Sequence, residues 1–190
     1  LFWGGDQSLS WDADDGLQSG MKGVLTGGLS GISLNHTDIG GYTALFQNRT
    51  KELLQRWTEM NAFTATFRTH EGTRPDLSAQ IYDDEESLTH FARFSRVFAA
   101  LAPYRDGLMQ EASETGMPLV RHMLLEYPDS PRAWDEDHTF MLGPDVVVAP
   151  VVVEGATTTR AYVPEGSWVH LWSGKAYTKA ETVDVAAPLG

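Results

Sequence analysis

The chain has 190 residues, a formal net charge of −12, 42% hydrophobic residues and no cysteine. The acidic excess argues against nucleic acid or a membrane surface as a partner, and the lack of cysteine excludes disulfides, thiolate zinc sites and a thiol nucleophile. This length fits one large domain or two small ones, and no run of about 18 apolar residues could span a bilayer. These features do not identify the cellular compartment of the protein, and the cytoplasm is favoured.

The first part of the chain alternates between short apolar strands and helices. Large apolar residues recur at helical spacing in the clearest helix, between residues 53 and 63. In chain order the pattern predicts a strand at 1–3, a helix at 17–29, a strand at 32–35, the helix at 53–63 and a strand at 64–69. This alternation is typical of parallel strands joined by helical crossovers.

The second part begins with a long predicted helix and becomes strand-rich. Acidic residues 83–86 suit the positive end of the helix dipole, and Pro103 is expected to kink or break the helix. After about residue 140 the sequence alternates like strands and turns at Pro164-Glu165-Gly166. We therefore predict an α/β chain, with strand–helix units in residues 1–140 and an incomplete all-β domain, a partial β-sandwich, in residues 141–190.

Polar side chains follow each of the three strands predicted in residues 1–70. Asp6 follows the first, Asp38 the second and His70 the third. Because the carboxyl ends of parallel strands meet at one face, we expect these three side chains to lie on a common pocket rim.

Asp6 is the candidate general acid/base. The aromatic neighbours Phe2 and Trp3 are expected to lower the local dielectric, which favours the protonated carboxyl group that a leaving oxygen needs. The alternative is a strand-end turn in which Asp6 caps the next segment.

The other polar strand ends also allow two interpretations. Asp38 is either a sugar-binding or second catalytic carboxylate, or an Asx-turn before two glycines. Arg68 and His70 either orient a carboxylate and contact substrate, or form a buried network at a strand end. Trp3 and Tyr42 are candidates for an apolar wall against a sugar, although aromatic residues at strand ends are more often core.

Taken together, these segments resemble glycoside hydrolase family 31, the α-glucosidase and α-xylosidase family. Residues 2–7 resemble its Trp-x-Gly-Asp acid/base segment, residues 37–42 its Asp-x-x-Gly-Phe segment, and residues 67–70 its Phe-Arg-x-His segment. Residues 140–150 and 162–168 resemble its junction to a proximal β-domain. The resemblance covers nearly the whole chain in the family's order.

The resemblance implies a (β/α)8 barrel of which this chain is the end. Residues 1–140 would be the last three strand–helix units, since a whole barrel needs about 250 residues. The missing N-terminal half, with the nucleophilic Asp, would lie upstream of Leu1. We therefore expect a fragment of a retaining α-glycosidase that is inactive in isolation.

The resemblance also implies roles for the site residues. Asp6 would be the acid/base, and the substrate-binding residues would be Trp3, Gln7, Asp38, Tyr42, Arg68 and His70. Residues 5–7, 40–43 and 68–72 are most similar to the sulfoquinovosidase branch, in which Tyr42 would help to hold the sulfonate. The partner would be a small-molecule glycoside, with no metal and no organic cofactor. The alternatives are an α-glucosidase or α-xylosidase, a non-catalytic carbohydrate-binding homologue, and a self-contained α/β domain without sugar chemistry.

Overall fold

The structure is a computed structural model that describes residues 1–45 and 47–190. Its first strands are short and parallel: β1 (Phe2–Trp3) pairs with β2 (Asn35–His36), with Trp3 opposite His36. Parallel bridges also join Ser8 to Thr43 and Ile39 to Thr69. The carboxyl ends of three consecutive chain segments therefore lie side by side.

The third predicted strand, at 64–69, is found only as the bridge at Thr69. The residues before it form a turn after the preceding helix, in which the hydroxyl of Thr64 lies within hydrogen-bond distance of the carbonyl oxygens of Asn61, at 2.9 Å, and Thr66, at 3.1 Å. A turn held by its own side chain leaves little extended backbone for pairing.

Two helices follow the first two strands. The prediction for α1 (Leu17–Leu29) is confirmed at both ends. The helix predicted at 53–63 is α2 (Lys51–Asn61), which begins earlier because the hydroxyl of Thr50 accepts a hydrogen bond from the amide of Leu53 and caps it.

The long helix divides into α3 (Glu85–Ala100) and α4 (Ala102–Thr115). Asp84 caps α3 by accepting the amide of Ser87 at 2.7 Å. The break comes at Leu101, because Pro103 lacks an amide hydrogen and fits only the first turn of a helix. The predicted break is confirmed.

The remaining strands are antiparallel. Three form one sheet in the order β3–β4–β5: β3 (Val120–His122), β4 (Phe140–Leu142) and β5 (Val146–Val148). A short α5 (Pro131–Trp134) lies between β3 and β4. The last strands form two pairs: β6 (Thr158–Val163) with β9 (Glu181–Ala186), and β7 (Trp168–Val169) with β8 (Ala176–Tyr177). The sheet of β3 to β5 joins residues on both sides of the boundary predicted near 140, which stays a prediction.

One hydrophobic core serves the strand–helix part and this sheet together. Trp57 of α2 and Phe140 of β4 are both buried in it, and α1 packs against β3. A buried arginine also connects α2 to the C-terminal segments, since Arg56 donates hydrogen bonds to the carbonyls of Ala156 at 3.0 Å and Ala187 at 2.9 Å. In the part of the chain that the structure describes, no helix is both long and apolar enough to cross a membrane.

Candidate active site

The carboxylate of Asp38 is the centre of the best-defined polar cluster at the strand ends. Its side chain is buried, and its Oδ2 accepts a hydrogen bond of 3.0 Å from the indole Nε1 of Trp3. Its Oδ1 lies 3.3 Å from Nε of Arg68, a distance that makes an ion pair but without hydrogen-bond geometry. Oδ1 is therefore buried next to a cation, and no group in residues 1–45 or 47–190 donates a hydrogen bond to it.

Trp3 and Arg68 are the exposed partners in this cluster. The guanidinium carbon of Arg68 lies 5.8 Å from the centre of the Trp3 ring, within the range of a cation–π contact. The Arg68 side chain is 45% exposed, and Trp3 is exposed to the same extent. The structure thus brings together three predicted site residues from three consecutive strand ends around one buried charge.

Tyr42 and His70 form a second group. Their ring centres are 4.4 Å apart in an edge-to-face arrangement, and both side chains are half-buried. The main chain links this group to the first, because the amide of Ile39 donates to the carbonyl of Arg68 at 2.8 Å. Two neighbouring strand ends therefore present an aromatic pair beside the Asp38 cluster.

Asp6 and Gln7 lie at the end of the first strand. The Asp6 side chain is exposed, and none of its carboxylate oxygens bonds to residues 1–45 or 47–190. The amide Nε2 of Gln7 turns back to the carbonyl of Gly4 at 2.8 Å, while its Oε1 is buried without a partner in that part of the chain. Both residues line a cavity of about 360 Å³ next to α1.

The backbone of Gln7 ties the first strand end to the second. Its carbonyl accepts the amides of Tyr42 at 2.8 Å and Thr43 at 2.9 Å. Gly41 has a φ of 72°, and a Cβ there would lie 2.8 Å from the carbonyl oxygen of Ser8. Only glycine allows this close approach of the two loops.

Side chains of α2 form hydrogen bonds with the end of the second strand. The indole of Trp57 donates to the hydroxyl of Thr37 at 2.9 Å, and the amide of Asn61 donates to the carbonyl of Thr37 at 3.0 Å. All three residues are buried. These bonds fix the backbone next to Asp38, and no sequence pattern indicates them beyond the helical position of Trp57.

Arg49, which precedes the cap of α2, is a further residue at the site that no sequence pattern predicts. Its guanidinium is buried and donates to the carbonyl of His70 at 2.7 Å. Burial lowers the pKa of Arg49 to about 10, and the charges of Asp83 and Tyr82 oppose this effect only in part. A lone arginine outside any periodic pattern carries no signal in the sequence that separates it from a surface residue.

Glu136, Asp137 and His138 are grouped away from the strand ends, with ligand atoms within 4.8 Å of one another. Glu136 already accepts the amide of Thr139 at 2.8 Å and pairs with Arg132 at 2.7 Å. Its carboxylate is thus committed to the turn before β4.

The fold and these strand ends define a parallel α/β scaffold with acidic, basic and aromatic side chains at one edge, the arrangement of an enzyme site. The profile described as the glycosyl hydrolases family 31 TIM-barrel domain matches residues 1–104. The profile described as the glycosyl hydrolase family 31 C-terminal domain matches residues 116–190. The chain belongs to glycosyl hydrolase family 31.

Its relatives include two bacterial sulfoquinovosidases. The one from Agrobacterium fabrum is 47% identical over all of this chain and 29% of its own length. The one from Escherichia coli is 42% identical over all of this chain and 28% of its own length. A solved family 31 sulfoquinovosidase from E. rectale, in complex with an aza-sugar inhibitor, superposes with a TM-score of 0.96 at 42% identity, and this chain covers 28% of it. The chain thus spans less than a third of the length of these proteins.

Proposed function

We propose that this chain is part of a retaining α-glycoside hydrolase that cleaves α-sulfoquinovosides. The observation that carries the proposal is the buried carboxylate of Asp38, which Trp3 and Arg68 contact and whose Oδ1 accepts no hydrogen bond within the described part of the chain. A buried charge with a free acceptor suits a sugar hydroxyl as the remaining partner. The 47% identity to a sulfoquinovosidase supports the choice of substrate.

The finer architecture belongs to the same proposal. Residues 1–140 are the last three strand–helix units of a (β/α)8 barrel, and residues 141–190 begin a proximal β-sandwich domain. The parallel register of β1 and β2 and the parallel bridge from Ile39 to Thr69 support this arrangement. The carboxyl ends of barrel strands are where such enzymes hold their active sites.

Asp6 acts as the acid/base in this mechanism. A retaining glycosidase uses two carboxyl groups about 5–5.5 Å apart, one that attacks the sugar and one that transfers the proton. Asp6 first protonates the leaving glycosidic oxygen, then removes a proton from the water that cleaves the glycosyl–enzyme bond. Its carboxylate is exposed and has no hydrogen-bond partner among the described residues, so a glycosidic oxygen can reach it. The nucleophile comes from a part of the protein outside this chain.

The other strand ends bind the sugar. Asp38 accepts ring hydroxyls through Oδ1, and His70 donates to a further hydroxyl from its imidazole. Arg68 orients the Asp38 carboxylate from its position 3.3 Å away.

The remaining site residues shape the pocket. Trp3 presents its exposed indole as an apolar wall. Tyr42 directs its hydroxyl to the sulfonate, and its ring is steadied by the edge-to-face contact with His70. Gln7 contributes Oε1, a buried acceptor without a partner in the described chain.

The role of Asp6 is tested by removing it from the full-length protein. The Asp6→Ala variant should lose about 10²–10⁴-fold in kcat/KM for an α-sulfoquinovoside with an alkyl leaving group, because that oxygen needs a proton. With 4-nitrophenolate as the leaving group the loss should be much smaller. Added azide should restore turnover and yield an α-glycosyl azide, since azide attacks without base assistance.

The matched control is Asp129→Ala, which removes an exposed carboxylate in the loop before α5. This variant should have the same kcat/KM as the wild type for both substrates. Equal losses of Asp6→Ala on the alkyl and nitrophenyl substrates, without azide rescue, would contradict the acid/base assignment.

A further inference from the structure

Arg49 is bound to the segment that carries His70 by every nitrogen of its side chain. Nη1 donates to the carbonyl of His70 at 2.7 Å, and Nε donates to the carbonyl of Ala79 at 2.8 Å. Nη2 donates to Oε1 of Gln80 at 2.8 Å and, more weakly, to the carbonyl of Glu71 at 3.4 Å. One guanidinium thus closes the segment from residue 70 to residue 80 into a loop.

The backbone of Arg49 strengthens the same attachment. The amide of Ala79 donates to the carbonyl of Arg49 at 2.9 Å, and the amide of Arg49 donates to the hydroxyl of Ser78 at 3.3 Å. Because the next residue, Thr50, caps α2, Arg49 lies on a rigid anchor. The loop is therefore bound to a fixed point by main chain and side chain together.

The aliphatic part of Arg49 contacts the neighbouring loop. A Cβ placed on Gly40 would lie 2.5 Å from Cδ of Arg49 and 3.1 Å from Cδ1 of Leu54. Gly40 has a φ of 82° and stands two residues after Asp38 and two before Tyr42. Arg49 therefore lies between the loop that carries Asp38 and Tyr42 and the loop that carries His70.

This placement is costly for a charge. Arg49 is only 3% exposed, and in residues 1–45 and 47–190 no carboxylate forms an ion pair with it. Burying a cation without an anion is unfavourable unless hydrogen bonds satisfy its donors. The donors are satisfied by loop carbonyls, so what this cation stabilises is the conformation of the loop.

We propose that Arg49 is a positioning residue that holds the loop of His70 against the loop of Asp38 and Tyr42 and so sets the geometry of the sugar-binding groups. The proposal rests on the function proposed above for its kinetic consequence. Gln80 supports Arg49 in this role, because its side-chain amide accepts a hydrogen bond from Arg49 and donates one to the carbonyl of Glu71 at 3.0 Å. Arg49 does not touch the sugar.

The kinetic test compares Arg49→Lys with Arg56→Lys in the full-length protein. Arg56 is the matched control, since it is also 3% exposed and also donates to backbone carbonyls, but those of Ala156 and Ala187. A displacement of about 1 Å can cost roughly a hundredfold in rate, so Arg49→Lys should lower kcat/KM about tenfold to hundredfold, with a raised KM. Arg56→Lys should lower the melting temperature and leave KM unchanged.

A second readout does not depend on activity. Hydrogen exchange of residues 70–80 should accelerate at least tenfold in Arg49→Lys, because the amide of Ala79 donates to the carbonyl of Arg49 and the amide of Thr73 donates across to the carbonyl of Tyr42. Exchange in α2 should stay the same. If Arg49→Lys does not fold, Gln80→Ala should show the same accelerated exchange and a several-fold smaller effect on KM.

The two readouts separate the possible failures. A wild-type protein that hydrolyses no α-glycoside would overturn the proposed function, while exchange would still decide whether Arg49 holds the loop. Unchanged exchange at 70–80 in the variants would overturn the positioning role. Accelerated exchange with unchanged KM and kcat would also overturn it, because the loop would then be held for stability alone.

Discussion

The indole of Trp3 donates a 3.0 Å hydrogen bond to Oδ2 of Asp38, and so joins two neighbouring strand ends through their side chains. The two residues are 35 positions apart, and the parallel register of β1 and β2 brings them together. A bond to a buried carboxylate is stronger than one between neutral groups. Trp3 therefore orients Asp38 in addition to presenting its ring to the pocket.

Replacing Trp3 with phenylalanine removes this donor and keeps an aromatic ring. We expect Trp3→Phe to lower kcat/KM for an α-sulfoquinovoside roughly tenfold, because a hydrogen bond to a charged group contributes about 1.5–3 kcal/mol and Trp3 is partly exposed to water. Steady-state kinetics of the full-length protein measure the effect. The control is Trp134→Phe, which loses a comparable 2.7 Å bond to the carbonyl of Pro128 and should be kinetically silent. Equal kinetics for both variants would show that the indole donor does not matter.

Gly143 connects β4 to β5 under α4. It has a φ of 56°, and a Cβ there would lie 2.4 Å from the hydroxyl of Tyr104 and 2.5 Å from Cδ2 of Leu108. Gly143→Ala should therefore destabilise the protein by about 1–3 kcal/mol, through overpacking and an unfavourable backbone conformation. Chemical denaturation measures this.

Gly107 offers the matched control for Gly143. It lies inside α4, and nothing is within 4 Å of a Cβ placed on it. Gly107→Ala should stabilise the protein by about 0.5–1 kcal/mol, because alanine is the better helix former. The opposite order of the two variants would refute the packing described for the turn.

The stability that Asp84 contributes at the start of α3 should depend on pH. The amide of Ser87, and then Lys51, lower the pKa of Asp84 from 3.8 to about 2. A carboxyl group with a depressed pKa contributes stability above its unfolded value, and this contribution is lost as the pH falls through the folded value. Asp84→Asn keeps the capping oxygen and removes the charge. The melting temperature of Asp84→Asn should lie below that of the wild type, and this difference should be largest at about pH 5 and clearly smaller at about pH 3.

The neighbouring Glu85 serves as the control for this titration. Its side chain is exposed, and Glu85→Gln removes a charge from the same turn without removing the cap. The melting temperature of Glu85→Gln should change little at either pH. A deficit of Asp84→Asn that stays constant between these pH values would contradict the assigned shift.

The sequence predicted the helices well because their signals are local. Apolar residues at helical spacing and Pro103 define the packing face of α2 and the break between α3 and α4, and both lie within single segments. The prediction of a strand at 64–69 was wrong, because apolar and β-branched residues also occur in the turn that follows a helix. There, the hydroxyl of Thr64 bonds its own neighbourhood instead of a partner strand.

The candidate site was predictable only in part. Acidic and basic residues after strands could be recognised singly, and the structure brings Trp3, Asp38 and Arg68 into one cluster. Arg49 could not be recognised, because its partners are mostly backbone carbonyls more than 20 positions away. Main-chain partners leave no pattern in the sequence.

The most direct measurement compares 4-nitrophenyl α-sulfoquinovoside with 4-nitrophenyl α-glucoside as substrates of the full-length protein and its Asp6→Asn variant. We predict that the wild type strongly prefers the sulfonated sugar and that Asp6→Asn lowers kcat for it, because the second step needs Asp6 to remove a proton from water whatever the leaving group. Preference for the glucoside would contradict the proposed substrate. Unimpaired turnover by Asp6→Asn would contradict the assignment of Asp6 as the group that transfers the proton.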